Sequence, residues 1–250
     1  MVKRSLIVLI LVAVVAGGAF AQKNTVTLDV GPTIVGLAIP AAFKALGNSV
    51  DENLSINSSG FGIGAQYEYQ PFEKVSFAGR FAYLGSSFGY TSNDVGVTAK
   101  VNISASSFSV EGHARYYPFT GGVFFVDGMV GYGRLMTDFS GQVIAIQMGT
   151  RYAESVSTSP SRNYIKLGGK LGWRKCFGKD GAGFTFEPSV GYSFGIGMGQ
   201  TIGKQLADSV ADATGNVVQD VGDFDDAFRF LEQLVFIGGP RVSLAFGWRF

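Results

Sequence analysis

Cysteine and histidine are almost absent: Cys176 and His113 are the single examples in 250 residues. One cysteine closes no internal disulfide and builds no zinc site. One histidine leaves acid–base chemistry with a single imidazole. Charge is sparse as well. Asp, Glu, Lys and Arg make up 16% of the chain, against about 25% in a typical soluble protein. The formal net charge is only +1, and Lys3 and Arg4 lie in the N-terminal leader read below. That balance argues against a nucleic-acid partner and leaves no polybasic patch. No segment after the leader runs for 18 apolar residues, so no spanning helix is expected.

Glycine (36 residues) and phenylalanine (22 residues) are what the chain has in excess. Its N-terminus reads as a signal peptide over residues 1–21. Lys3 and Arg4 form the positive n-region, Leu6 to Ala16 is an unbroken apolar run, and Ala19-Phe20-Ala21 is a small-x-small cleavage site before Gln22. The apolar run is shorter than the roughly 20 residues a spanning helix needs. No cysteine follows the cleavage site, so a lipoprotein is not expected. The mature domain is then 22–250.

The last residues show the clearest pattern. Val242, Leu244, Phe246, Trp248 and Phe250 are apolar and rise to aromatics, while Ser243, Ala245, Gly247 and Arg249 between them are small or charged. A strict period of two marks a strand with one face in an apolar medium. This terminal strand resembles that of bacterial outer-membrane β-barrels, and in size and strand number the chain is similar to the OmpA membrane domain and to OmpX- and OmpW-like proteins. The resemblance implies that Val242, Leu244, Phe246, Trp248 and Phe250 form the signal read by the outer-membrane assembly machinery. It also implies outer-membrane lipid as the surroundings and the bacterial outer membrane as the destination.

Seven further segments alternate in the same way. They start at about Val26, Gly60, Val75, Ser107, Phe124, Ile165 and Phe184. Pro71–Lys74, Pro118–Gly122 and Cys176–Gly183 read as short turns. Asn48–Ser59, Ser86–Lys100, Asp138–Asn163 and Gly199–Val235 read as long polar loops, with Val143–Met148 as a possible strand extension. Val101 and Ile103 fall out of parity with the strand that follows, which suggests a bulge or a separate extension there. Long and short connections alternate, as in an up-and-down barrel with long outer loops and short periplasmic turns. The expected fold is therefore all-β: an eight-stranded antiparallel up-and-down transmembrane β-barrel with a short helix in the last extracellular loop. A lipocalin-type barrel would carry its apolar set inside; here small and charged residues occupy one parity and aromatics the other.

The inner parity holds Glu68, Arg80, Glu111, His113, Arg115, Asp127, Lys166, Lys170, Arg174, Glu187 and Arg241. Eight strands leave just enough bore for side chains to fill, and buried charges must pair or be solvated. The expected interior is a salt-bridged polar plug, with a continuous polar channel as the alternative.

Candidate chemistry is thin. His113 lies near the short-turn end beside Glu111 and Arg115, where membership of the inner network outweighs a catalytic role, since a catalytic base needs a nucleophile within reach and open access. The glycine series at Gly60, Gly62 and Gly64 sits within a strand and is no nucleotide loop. Asp220, Asp223, Asp225 and Asp226 do not match an EF-hand spacing, so no metal or cofactor is expected. Phe224, Phe228 and Leu231 recur at helical spacing after the candidate cap Asp223, which predicts a helix over Asp223–Val235, packed on the outer mouth. Three functions stay open on the sequence. The first is a non-enzymatic surface barrel whose loops contact a host or envelope partner. The second is an OmpW-like conduit for small hydrophobic solutes. The third is a lipid-modifying enzyme.

Overall fold

A computed structural model describes residues 24–34, 54–94, 97–119, 123–147, 150–178, 181–213 and 238–250. Its strands are β1 (Asn24–Asp29), β2 (Leu54–Phe72), β3 (Val75–Asp94), β4 (Val97–Tyr116), β5 (Phe124–Gln147), β6 (Thr150–Thr158), β7 (Ser161–Trp173), β8 (Lys175–Phe177), β9 (Gly183–Met198) and β10 (Gly239–Arg249), with a helical turn at 31–34 and the helix α1 (Ile202–Ala213). All pairings are antiparallel. β1, β2, β3, β4, β5, β7, β9 and β10 pair in succession, and β10 returns to β1, which closes an eight-strand ring. β6 adds to β5 and β8 to β9, both off the ring. The signal peptide expected over 1–21 lies outside the described residues.

Closure rests on the alternation read from the sequence. Along β2, Phe61, Ile63, Tyr67 and Tyr69 are exposed while Gln66 and Glu68 between them are buried. The same holds around the ring, up to 68% exposure at Phe194 and 57% at Trp248. Ring closure leaves no open edge among the paired strands, so backbone groups find partners all the way round. The outer surface is consequently a continuous aromatic and aliphatic belt, and the charges are turned inward.

The strands are longer than the alternation predicts. The expected loop Ser86–Lys100 is mostly strand: β3 runs to Asp94 and β4 restarts at Val97. Register between them is continuous from Val75↔Tyr116 to Asp94↔Val97, so no bulge occurs at Val101 and Ile103. The expected loop Asp138–Asn163 is a hairpin in which β5 continues to Gln147 and pairs with β6. β2 likewise begins inside the loop expected over Asn48–Ser59. The serine-, glycine- and asparagine-rich segments carry no clear alternation in their sequence. Backbone pairing needs only a neighbouring strand and continues without that signal.

The last long connection holds α1. Gly199, with φ 83°, turns the chain. The Thr201 hydroxyl accepts the Lys204 amide at 3.2 Å as an N-cap. Ile202 and Leu206 are buried with Leu135 and Tyr164, against Ala105 and Phe139. Leu135 and Tyr164 project to the inside of the ring, so the helix packs on the inner wall at the long-loop end. This helix precedes the one expected over Asp223–Val235; that segment, with Phe224, Phe228 and Leu231, lies outside the described residues.

Candidate functional site

The inner face of the ring is a layered network of charges. Its base is built on Glu68 of β2. Glu68 accepts from Arg115 Nη1 at 2.6 Å, from Arg174 Nη1 and Nη2 at 3.0 and 2.6 Å, and from the Tyr117 hydroxyl at 2.8 Å. Glu187 of β9 bridges the same two guanidiniums, 2.7 Å from Arg115 Nη1 and 2.6 Å from Arg174 Nη2. Two carboxylates and two guanidiniums thus share one buried square. Aromatic rings cover it: Arg115 stacks 4.4 Å from the Phe125 centroid, and Phe125 meets Tyr117 edge-on at 6.1 Å. Room for the Phe125 ring comes from Gly172, where an added Cβ would lie 2.2 Å from it.

Asp127 forms the next layer. Its Oδ2 accepts from Arg115 Nε at 2.7 Å and stands 3.6 Å from Lys170 Nζ. Its Oδ1 lies 2.8 Å from His113 Nδ1. The other ring nitrogen of His113 is 3.4 Å from Glu111, and the histidine side chain is fully buried. The single imidazole is thereby wedged between two carboxylates.

Glu111 centres the third layer. It takes Arg80 Nη1 at 2.7 Å, Arg241 Nη2 at 2.8 and 3.1 Å, and the Ser109 hydroxyl at 3.0 Å. Arg80 Nη2 reaches Asp29 at 2.7 Å. Asp29 Oδ1 also accepts the backbone amides of Gly31 and Leu244, at 2.8 and 3.1 Å, so this carboxylate ties the two seam strands β1 and β10 together. Above it, Lys166 Nζ lies 5.1 Å from the Tyr164 ring, and Tyr164 hydrogen-bonds Ser107.

All the charged side chains assigned to the lumen by parity lie on the inside of the ring: Glu68, Arg80, Glu111, His113, Arg115, Asp127, Lys166, Lys170, Arg174 and Glu187 are buried, and Arg241 is half-buried. Sequence reasoning left out Asp29, Tyr117 and Phe125. Asp29 stood on the inner parity, but next to Gly31-Pro32, where alternation fades. Phe125 carried a usable signal, an aromatic on the polar parity. Among the described residues the buried interior carries five cations, Arg80, Arg115, Lys166, Lys170 and Arg174, against five carboxylates, Asp29, Glu68, Glu111, Asp127 and Glu187, and the half-buried Arg162, Arg241 and Arg249 add positive charge on the same parity. No group of acidic, histidine or cysteine side chains among the described residues has the arrangement of a metal site.

On the terminal strand, Val242, Phe246 and Trp248 face outward and are exposed, and Leu244 and Phe250 are half-buried. The backbone of Phe250 exchanges two 3.0 Å hydrogen bonds with Asn24.

Residues 39–197 match the family model described as "Autotransporter beta-domain". No curated protein matches the chain. Solved structures with a similar trace include Ail, the attachment invasion locus protein of Yersinia pestis. It is 10% identical, with 92% of this chain and 100% of that chain covered and a TM-score of 0.37. CarO2 of Acinetobacter baumannii is 13% identical, with 92% and 100% covered and a TM-score of 0.37. CarO of the same organism is 14% identical, with 79% and 97% covered and a TM-score of 0.35.

Proposed function

The chain belongs to the autotransporter β-domain family of bacterial outer-membrane β-barrels, and from that premise we propose that it is a non-enzymatic barrel that crosses the outer membrane with a plugged, charged lumen and acts through the β-extensions and loops held outside the cell. The observation that carries the plug is the shared square of Glu68, Glu187, Arg115 and Arg174. Its side chains are at most 2% exposed and meet across a bore that eight strands make narrow. The apolar belt supports the crossing: aromatic and aliphatic files of this extent are left bare only against another apolar phase. Long strand extensions at one end and short turns at the other support an outward-facing working surface for a host or envelope partner. On the same reading Val242, Leu244, Phe246, Trp248 and Phe250 serve as the assembly signal, and the leader 1–21 directs export.

Planar-bilayer recording tests the plug. Purified barrel that shows heat-modifiable migration is expected to insert without steady single-channel conductance. Long-lived, reproducible conductance steps from the wild-type barrel would sink the plugged reading. A second reading, a conduit for small apolar solutes, draws on the buried contact of Ile202 and Leu206 with Leu135 and Tyr164, which places an apolar helix face at the entrance. Uptake of an apolar dye by vesicles carrying the barrel, and none by empty vesicles, would favour it.

A further inference from the structure

Beside the upper ion-pair layers the lumen keeps a cavity of ≈ 80 Å³, bordered by Lys166 and Lys170 of β7, Arg80 of β3 and Ser189 of β9. That is room for several waters or one small polyatomic ion. Its walls are rich in donors. The Ser189 hydroxyl and Arg80 Nε are buried and have no hydrogen-bond partner among the described residues, in side chains that are themselves only 5% and 6% exposed. Buried donors are normally paired, so two of them beside one cavity mark a place where an acceptor belongs.

The one carboxylate bordering the cavity among the described residues, Asp29, is engaged. It spends one oxygen on Arg80 and the other on two backbone amides. The two lysines are the least committed cations of the interior. Lys170 has only a 3.6 Å contact with Asp127, whose same oxygen takes Arg115 at 2.7 Å. Lys166 approaches a ring face, and among the described residues it has no carboxylate within 4.0 Å. Among the described residues the inner parity carries more cations than carboxylates, and an uncompensated buried charge is costly.

We propose that this cavity is an anion site and holds a small oxyanion of the size of inorganic phosphate, as the counter-ion of Lys166 and Lys170 and the acceptor for Ser189 and Arg80 Nε. Whether the barrel conducts does not enter this proposal, because occupancy is read by binding and plugging by current.

The test uses the full mature barrel in non-ionic detergent at low ionic strength, where a charge-based site is least screened. Inorganic phosphate is titrated calorimetrically. The expected result is saturable binding at one site, displaced by sulfate and absent for choline. Lys166→Met and Ser189→Val are each expected to weaken it about tenfold, the scale of one hydrogen bond to a charged group. Lys204→Met, on the exposed face of α1, is expected to leave it unchanged. Heat-modifiable migration checks that each variant is folded. Nitrogen NMR of the lysine ammoniums in the wild-type barrel gives a readout without substitution: phosphate should shift Lys166 and Lys170 and leave Lys204 in place. No saturable phosphate binding by the wild type, or equal losses in Lys166→Met and Lys204→Met, would overturn the assignment, as would ammonium shifts confined to Lys204.

Discussion

Glu68 is the acceptor on which the base of the interior depends, since Arg115, Arg174 and Tyr117 all donate to it. Glu68→Ala removes four of their hydrogen bonds and leaves two guanidiniums sharing Glu187. Breaking a buried ion pair from one side costs about 3–5 kcal/mol. The variant is therefore expected to unfold in detergent at clearly lower urea than the wild type, and an unchanged midpoint would count against the square as a source of stability. Parity alone made the inner position of Glu68 legible. It did not say which guanidiniums Glu68 meets, because partners such as Arg174, 106 positions away, are brought together by ring closure and not by spacing. Asp29 shows the same limit at a strand end, where the last side chain has no alternating neighbour to declare its face.

Among elements, α1 was the least legible. Its apolar face is short, carried chiefly by Ile202 and Leu206, and Gly203 sits inside it, where glycine weakens a helix. Its stability comes from the inner wall at Leu135 and Tyr164, which no local pattern reports. Replacing Ile202 and Leu206 together by serine is expected to release the helix. Proteolysis within 202–213 should quicken while the barrel still inserts and migrates as folded. Unchanged cleavage would mean that the helix holds its place without that contact. The strands were legible only as far as the belt. From Phe61 to Tyr69 the alternation is plain, whereas β4 before Ser107 and the β5–β6 hairpin are rich in small and polar residues, and their sequence looks like loop.

For the whole molecule, the unequal ends predict orientation. In a Cys176→Ser background, cysteine introduced at Asn93 or Thr150, in the β3–β4 and β5–β6 ends, should react with an impermeant thiol reagent on intact cells. Cysteine at Glu73, in the two-residue turn between β2 and β3, should react only after the outer membrane is opened. The reverse pattern would turn the barrel over. Deleting Phe250 removes the backbone pair with Asn24 along with the aromatic terminus, and is expected to lower the yield of heat-modifiable protein in the membrane severalfold. Normal yield from that variant would separate the terminal aromatic from assembly.

The seam between β1 and β10 also fixes an order of events. Asn24 meets Phe250, so the ring joins residues from opposite ends of the chain, and β1 contributes only six of them. Loops of that length close slowly and yield little until the final contacts form. A nascent or truncated chain has the belt but not the ring, and so presents unpaired strand edges and aromatic files together. Time spent in that state is the chain's most vulnerable interval, and escape from it waits on β10 reaching β1.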